Sequence, residues 1–130
     1  MLMRYAKIFG WAFIGAGVLG FIPGITTADG HLLGIFHVNA AHNVVHLLSG
    51  GVALWAGYQS ENTSRMYFRI FGVVYALVAL LGMFTGREAI FGLIANNMAD
   101  VVLHLAIAVA ALWLGFWVHR TGTHGRHAHA

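Results

Sequence analysis

Long apolar runs broken by short polar segments predict four helices. From Ile8 to about Gly24 nearly every residue is apolar or glycine, enough to cross a hydrocarbon core that takes roughly 20 residues. Pro23-Gly24 marks the end of this first helix. A polar loop runs from Ile25 to Asn39, and Asn39 is a good N-cap for a second helix over about Ala40–Gly57. Tyr58 to Ser64 reads as a polar turn. A third helix is expected over about Met66–Thr85, and a second loop over Gly86–Asn97. Asn97 then caps a fourth helix over about Met98–Val118. Ala12, Ala16, Gly20 and Gly24 fall four apart, a ridge of small residues against which a neighbouring helix can pack closely.

The pattern occurs twice. Tyr5-Ala6-Lys7-Ile8-Phe9-Gly10 returns as Tyr67-Phe68-Arg69-Ile70-Phe71-Gly72, an offset of 62. Asn39, His42 and His46 return as Asn97, Asp100 and His104, an offset of 58, as do Ala53-Leu54-Trp55 and Ala111-Leu112-Trp113. The second loop is therefore shorter by four residues. The expectation is one domain over residues 1–118, with one helical hairpin over about 5–57 and a parallel copy over about 67–115. The stretch 119–130 reads as a disordered, His-rich cytoplasmic tail.

Composition moves this domain into lipid. The chain is 59% hydrophobic and 8% charged, whereas soluble domains carry about 25% charged residues. Too few charges remain to cover a water-facing surface. The start resembles a signal peptide but lacks a small-residue cleavage site, and its pattern recurs, so it reads as a retained helix. Arg4, Lys7, Arg65, Arg69, Arg120 and Arg126 fall on one side of a four-span layout and Arg87 alone on the other, which places both termini in the cytoplasm. The absence of cysteine excludes disulfides and thiolate metal sites. Scattered bases without interleaved aromatics give no sign of nucleic-acid binding.

Ionisable residues inside a span are costly and therefore mark candidate sites. His42 and His46 share one helical face, and Asp100 and His104 repeat the spacing. His46 and His104 lie roughly 10 Å into their helices at 1.5 Å per residue. If the second and fourth helices face each other, these rings meet across the centre line. Three imidazoles and a carboxylate from His42, His46, Asp100 and His104 would suit zinc or iron, with Asn39 and Asn43 supporting the ligands and His31 and His37 guiding ions inward. His46 and His104 could instead hold a haem or pigment as axial ligands. The alternative without a ligand is polar pairing: asparagine caps, Asp100 in a positive first turn, and histidines that hydrogen-bond and hold the halves together.

The block Gly34 to Leu47 (GIFHVNAAHNVVHL), with Asn97-x-x-Asp100-x-x-x-His104-Leu105 and Phe71-Gly-Val-Val-Tyr75, resembles a bacterial family of small four-helix membrane proteins catalogued as a domain of unknown function. The resemblance covers nearly the whole chain apart from its tail. It implies a four-span fold and brings no activity, cofactor or catalytic residue.

The chain shows no nucleophile–base pair, phosphate loop or paired carboxylates. The expectation is an all-α, non-enzymatic protein of the bacterial inner membrane, with a polar His/Asp centre near the outer face. It would serve as an accessory or structural subunit beside other membrane subunits or as a homo-oligomer. A redox component or a small metal-ion or proton transporter is the alternative.

Overall fold

The computed structural model describes residues 1–118. The tail at 119–130, with its expected disorder, lies outside the described residues. Four helices dominate: α1 (Leu2–Leu19), α2 (Ala40–Gln59), α3 (Glu61–Thr85) and α4 (Met98–Leu112), the last continuing into a π-helical turn, Trp113–Trp117. Three helical stretches, Leu2–Leu19, Glu61–Thr85 and Met98–Trp117, are long and apolar enough to cross a membrane. α2 is of similar length but carries His42, Asn43, His46 and Ser49 on its buried face.

Several boundaries differ from expectation. α1 starts at Leu2 and stops at Gly20, ahead of Pro23. The first loop is not purely irregular: β1 (His31–Leu32) and β2 (Phe36–His37) pair antiparallel around a turn at Leu33 and Gly34. The polar stretch Tyr58–Ser64 is no loop. Ser60 alone separates α2 from α3, since its side chain accepts from Thr63 N–H and starts the new helix at once. Glu61 beside it accepts from the backbone N–H groups of Leu2 and Met3 at 3.2 and 3.1 Å. A carboxylate there offsets the positive end of α1, where no residue of the helix itself does so.

The same end of the bundle carries Arg65 and Arg69. Arg69 Nε donates to the Gly115 carbonyl at 2.8 Å, and Arg65 Nη1 donates to the Gly115 and Val118 carbonyls at 3.1 and 2.7 Å. The widened turn thereby finds partners for carbonyls that the α-helical ladder releases.

Within the bundle α1 packs along α2 and α3 along α4, with α3 lying against both α1 and α2. The seams are lined by glycine. A Cβ on Gly10, Gly17 or Gly20 would strike Leu54, Leu47 or Asn43, and one on Gly72 or Gly82 would strike Leu112 or Asn96. The expected ridge is thus corrected: Gly20 belongs to it, but Ala12 faces outward and Gly24 lies beyond the helix. Leu2, Ala6, Ala53, Phe68 and Ala111 fill the basic end of the core, and Phe13 stacks on Tyr75 at 5.2 Å halfway along. Large apolar side chains such as Leu48, Leu77, Val102 and Val109 point outward. A polar interior inside an apolar exterior is the arrangement lipid demands.

Two pairs of positions 58 apart take the same backbone form. Asn39 and Asn97 both have φ −145° and ψ −179°, and Leu33 and Phe91 both have φ 55°. The two capping asparagines also cross over. Asn39 Nδ2 donates to the Leu93 carbonyl and Asn97 Nδ2 to the Ile35 carbonyl, each at 2.9 Å.

Neighbouring glycines of α2 test the seam. A Cβ on Gly50 would lie 2.7 Å from the Gly10 carbonyl oxygen, whereas one on Gly51 meets nothing within 4 Å. Gly50→Ala should destabilise the fold by about 1–3 kcal/mol through overpacking against backbone. Gly51→Ala should be neutral or stabilise by up to about 1 kcal/mol. Thermal unfolding of both variants in one detergent checks the contrast.

A buried cluster of three histidines

Helix capping sets the depth of each polar side chain. Asn39 Oδ1 accepts from His42 N–H at 2.9 Å, which fixes His42 in the first turn of α2 and puts His46 one turn deeper on the same face. Asn97 does the same for Asp100, with His104 one turn deeper in α4. The three imidazoles meet inside the bundle. Ring centroids are 4.5 Å apart for His42 and His46, 5.4 Å for His42 and His104, and 5.8 Å for His46 and His104. Each residue is at most 4% exposed. One nitrogen from each can be chosen so that all three lie within 4.8 Å of one another.

His42 is held at its other side. Its Nδ1 faces the carbonyl oxygens of Ala95 at 2.8 Å and His37 at 3.1 Å. Carbonyls only accept, so Nδ1 carries a proton and Nε2 is the nitrogen turned to the cluster. Backbone carbonyls hold metal-ligating imidazoles in this way. Among the described residues, His42 Nε2 and both nitrogens of His46 and of His104 are buried without a hydrogen-bond partner. A buried donor left unpaired costs about 1–3 kcal/mol.

Asp100 is also buried but stands apart from the three-ring group. Its Oδ2 accepts from Asn97 N–H at 2.9 Å and completes a capping box, while Oδ1 has no partner among the described residues. His31 and His37 stack on each other in the hairpin at 4.9 Å, outside the three-ring group, and the His37 carbonyl faces His42 Nδ1. At the tip of that loop the Thr27 hydroxyl donates to Asp29 and holds its carboxyl below the usual carboxylate range. Arg87 and Glu88, adjacent in the second loop, form no ion pair with each other. Asn43 is buried with its amide against Gly20.

Tyr75 and Ser49 join the site without having been anticipated. The Tyr75 ring lies 5.5 Å from that of His104, and its hydroxyl pairs with Ser49 Oγ at 2.8 Å. Tyr67 OH in turn donates to the Ser49 carbonyl at 3.1 Å. A signal was present: Ser49 lies three residues beyond His46 on the same helical face, and Tyr75 stands 62 residues after Phe13.

These features define a mostly helical, membrane-like protein with a buried histidine cluster. The chain belongs to the family described as Domain of unknown function (DUF4383), whose model matches residues 4–117. No curated protein and no solved structure matches it.

The capping box separates two roles for Asp100. Asn retains an acceptor for Asn97 N–H, and Ala does not. If Asp100 acts as a cap, Asp100→Ala should cost about 0.5–2 kcal/mol and Asp100→Asn much less. Chemical or thermal unfolding of the two variants measures the difference.

Proposed function

We propose that this chain is a four-span protein of the bacterial cytoplasmic membrane that holds a zinc or iron ion on His42, His46 and His104. The observation that carries the reading is the set of five unpartnered nitrogens on three buried, converging rings. Tetrahedral zinc with bonds of 2.0–2.1 Å needs nitrogens about 3.3 Å apart, so modest ring rotations close the group around an ion. Three imidazoles leave a fourth position open for a small ligand. Asp100, on the adjacent turn, is the reserve oxygen donor.

A small ion suits this site better than a haem or pigment, because the rings already crowd each other at 4.5–5.8 Å and leave no flat slot for a macrocycle. Polar pairing alone is the competing account. It is weakened by the geometry, since His46 and His104 make no hydrogen bond to each other or to Asn43.

The reading extends to architecture. Matching caps, matching turns and reciprocal asparagine bonds support two parallel hairpins related by an axis along the membrane normal. α2 then crosses as the fourth span, its polar face turned inward. The basic end, with Arg65 and Arg69, faces the cytoplasm, and the histidines sit toward the outer face. With no nucleophile or paired carboxylates at the centre, the protein serves as a metal-holding accessory subunit within a larger membrane assembly or homo-oligomer.

Metal analysis of the purified protein tests this. About one zinc or iron per chain is expected in the wild type, and His46→Ala and His104→Ala should lose it. Removal by a chelator should lower the melting temperature, since an ion at about 100 times its dissociation constant stabilises by roughly 2.7 kcal/mol. Folded protein without metal, in the wild type and after incubation with zinc or ferrous iron, would overturn the reading in favour of polar pairing.

A further inference from the structure

At the basic end of the bundle, Lys7 and Arg69 stand 62 positions apart and occupy matching places. Each lays its stem against a glycine of the neighbouring segment. A Cβ on Gly57 would lie 2.8 Å from Lys7 Cγ, and one on Gly115 would lie 2.9 Å from Arg69 Cγ. Each also sets its charge beside an aromatic ring. The Lys7 ammonium lies 4.4 Å from the centre of the Tyr58 ring, and the Arg69 guanidinium 4.9 Å from that of Phe116.

The two cations differ in what else they meet. Arg69 donates to the Gly115 carbonyl, and Arg65 donates to the same oxygen and to the Val118 carbonyl. Lys7 has no such partner: among the described residues its ammonium makes no hydrogen bond or ion pair and faces only the Tyr58 ring. Arg4, one turn earlier on the same face of α1, is exposed and likewise unpaired. Glu61 is the one carboxylate at this end, since Asp29, Glu88 and Asp100 belong to the opposite loops or the start of α4. It is occupied by the start of α1. Two positive charges are therefore left without a counter-charge, side by side on the outside of α1. Ile8 and Trp11 follow them on that face, both exposed.

We propose that Arg4 and Lys7, with Tyr58, form a binding site for the phosphate headgroup of an anionic phospholipid in the leaflet at the basic end. The guanidinium fork and the ammonium both donate to phosphate oxygens. Gly57 and Tyr58 hold the Lys7 side chain at the α1–α2 edge, so part of the ordering precedes binding. A zwitterionic lipid brings its own cation against the same two bases and is disfavoured. Ile8 and Trp11 offer an apolar track along which the acyl chains lie, which a free phosphate ion cannot use. The second hairpin lacks the site, because Met66 stands where Arg4 does and Arg69 is already bonded. The proposal requires no metal.

The test is native mass spectrometry of the full chain in detergent, titrated with dioleoyl phosphatidylglycerol. Dioleoyl phosphatidylcholine is the zwitterionic control and inorganic phosphate the head-only control. One phosphatidylglycerol per chain should bind in preference to phosphatidylcholine and resist displacement by phosphate. Lys7→Met keeps a stem on Gly57 without the charge. It should weaken phosphatidylglycerol binding about fivefold and leave phosphatidylcholine unchanged, and Arg4→Gln should do the same. Arg4 is exposed, so Arg4→Gln carries the test should Lys7→Met fail to fold. Adding Met66→Lys to Lys7→Met restores the net charge of this end at the matching place in the other hairpin, and the preference should stay lost. Equal retention of the two lipids, displacement by phosphate, binding unchanged in both single variants, or recovery with Met66→Lys, the mark of a diffuse field, would overturn the proposal.

Discussion

In hydrocarbon no water is present to satisfy a stray N–H or C=O, and the polar groups of this bundle are arranged under that constraint. The two capping asparagines meet it most economically. Each uses its side-chain oxygen to cap its own helix and its side-chain amide to reach a carbonyl in the opposite loop. One residue type thus starts α2 and α4, sets the depth of His42, His46, Asp100 and His104, and ties the loops together. Arg65, Arg69 and Glu61 perform the corresponding service at the other end, where they supply partners to α4 and α1.

Residues that match at offsets of 58 and 62 share their place in the frame, and the positions where they do not match give the centre its chemistry. Where matched positions agree, as at Asn39 and Asn97 or Gly10 and Gly72, the residues serve capping and close packing. Where they differ, the centre acquires its character. His42 stands opposite Asp100, Tyr75 opposite Phe13, and Ser49 opposite Ile107. His42 is bonded to the carbonyls of Ala95 and His37, positions 58 apart, so a single ring nitrogen bridges the two loops.

Much of this was legible in the residues. Long apolar runs gave four helices, and Asn39 and Asn97 marked the starts of α2 and α4, because capping and apolar length are local properties. The meeting of His42, His46 and His104 followed from the repeat and the i, i+4 spacing. Other features depend on contacts distant in sequence and left little local trace. Tyr58–Ser64 reads as a loop by composition, but Glu61 is polar because it caps α1 from across the bundle. The small residues of α1 pointed to a ridge over Ala12, Ala16, Gly20 and Gly24, whereas the side chains of α2 place the seam at Gly10, Gly17 and Gly20. The β1–β2 hairpin has strands of two residues, too short for periodicity to show.

Ser60, the sole residue between α2 and α3, leaves that joint without slack. An extra residue inserted there would have to be absorbed by regular helix, turning α3 by about 100° and advancing it about 1.5 Å. Tyr75 would swing away from Ser49, although it does not lie near the insertion. The length of the joint therefore works as a gauge that phases one half of the molecule against the other, so this polar bend should accept side-chain changes far more readily than changes in length.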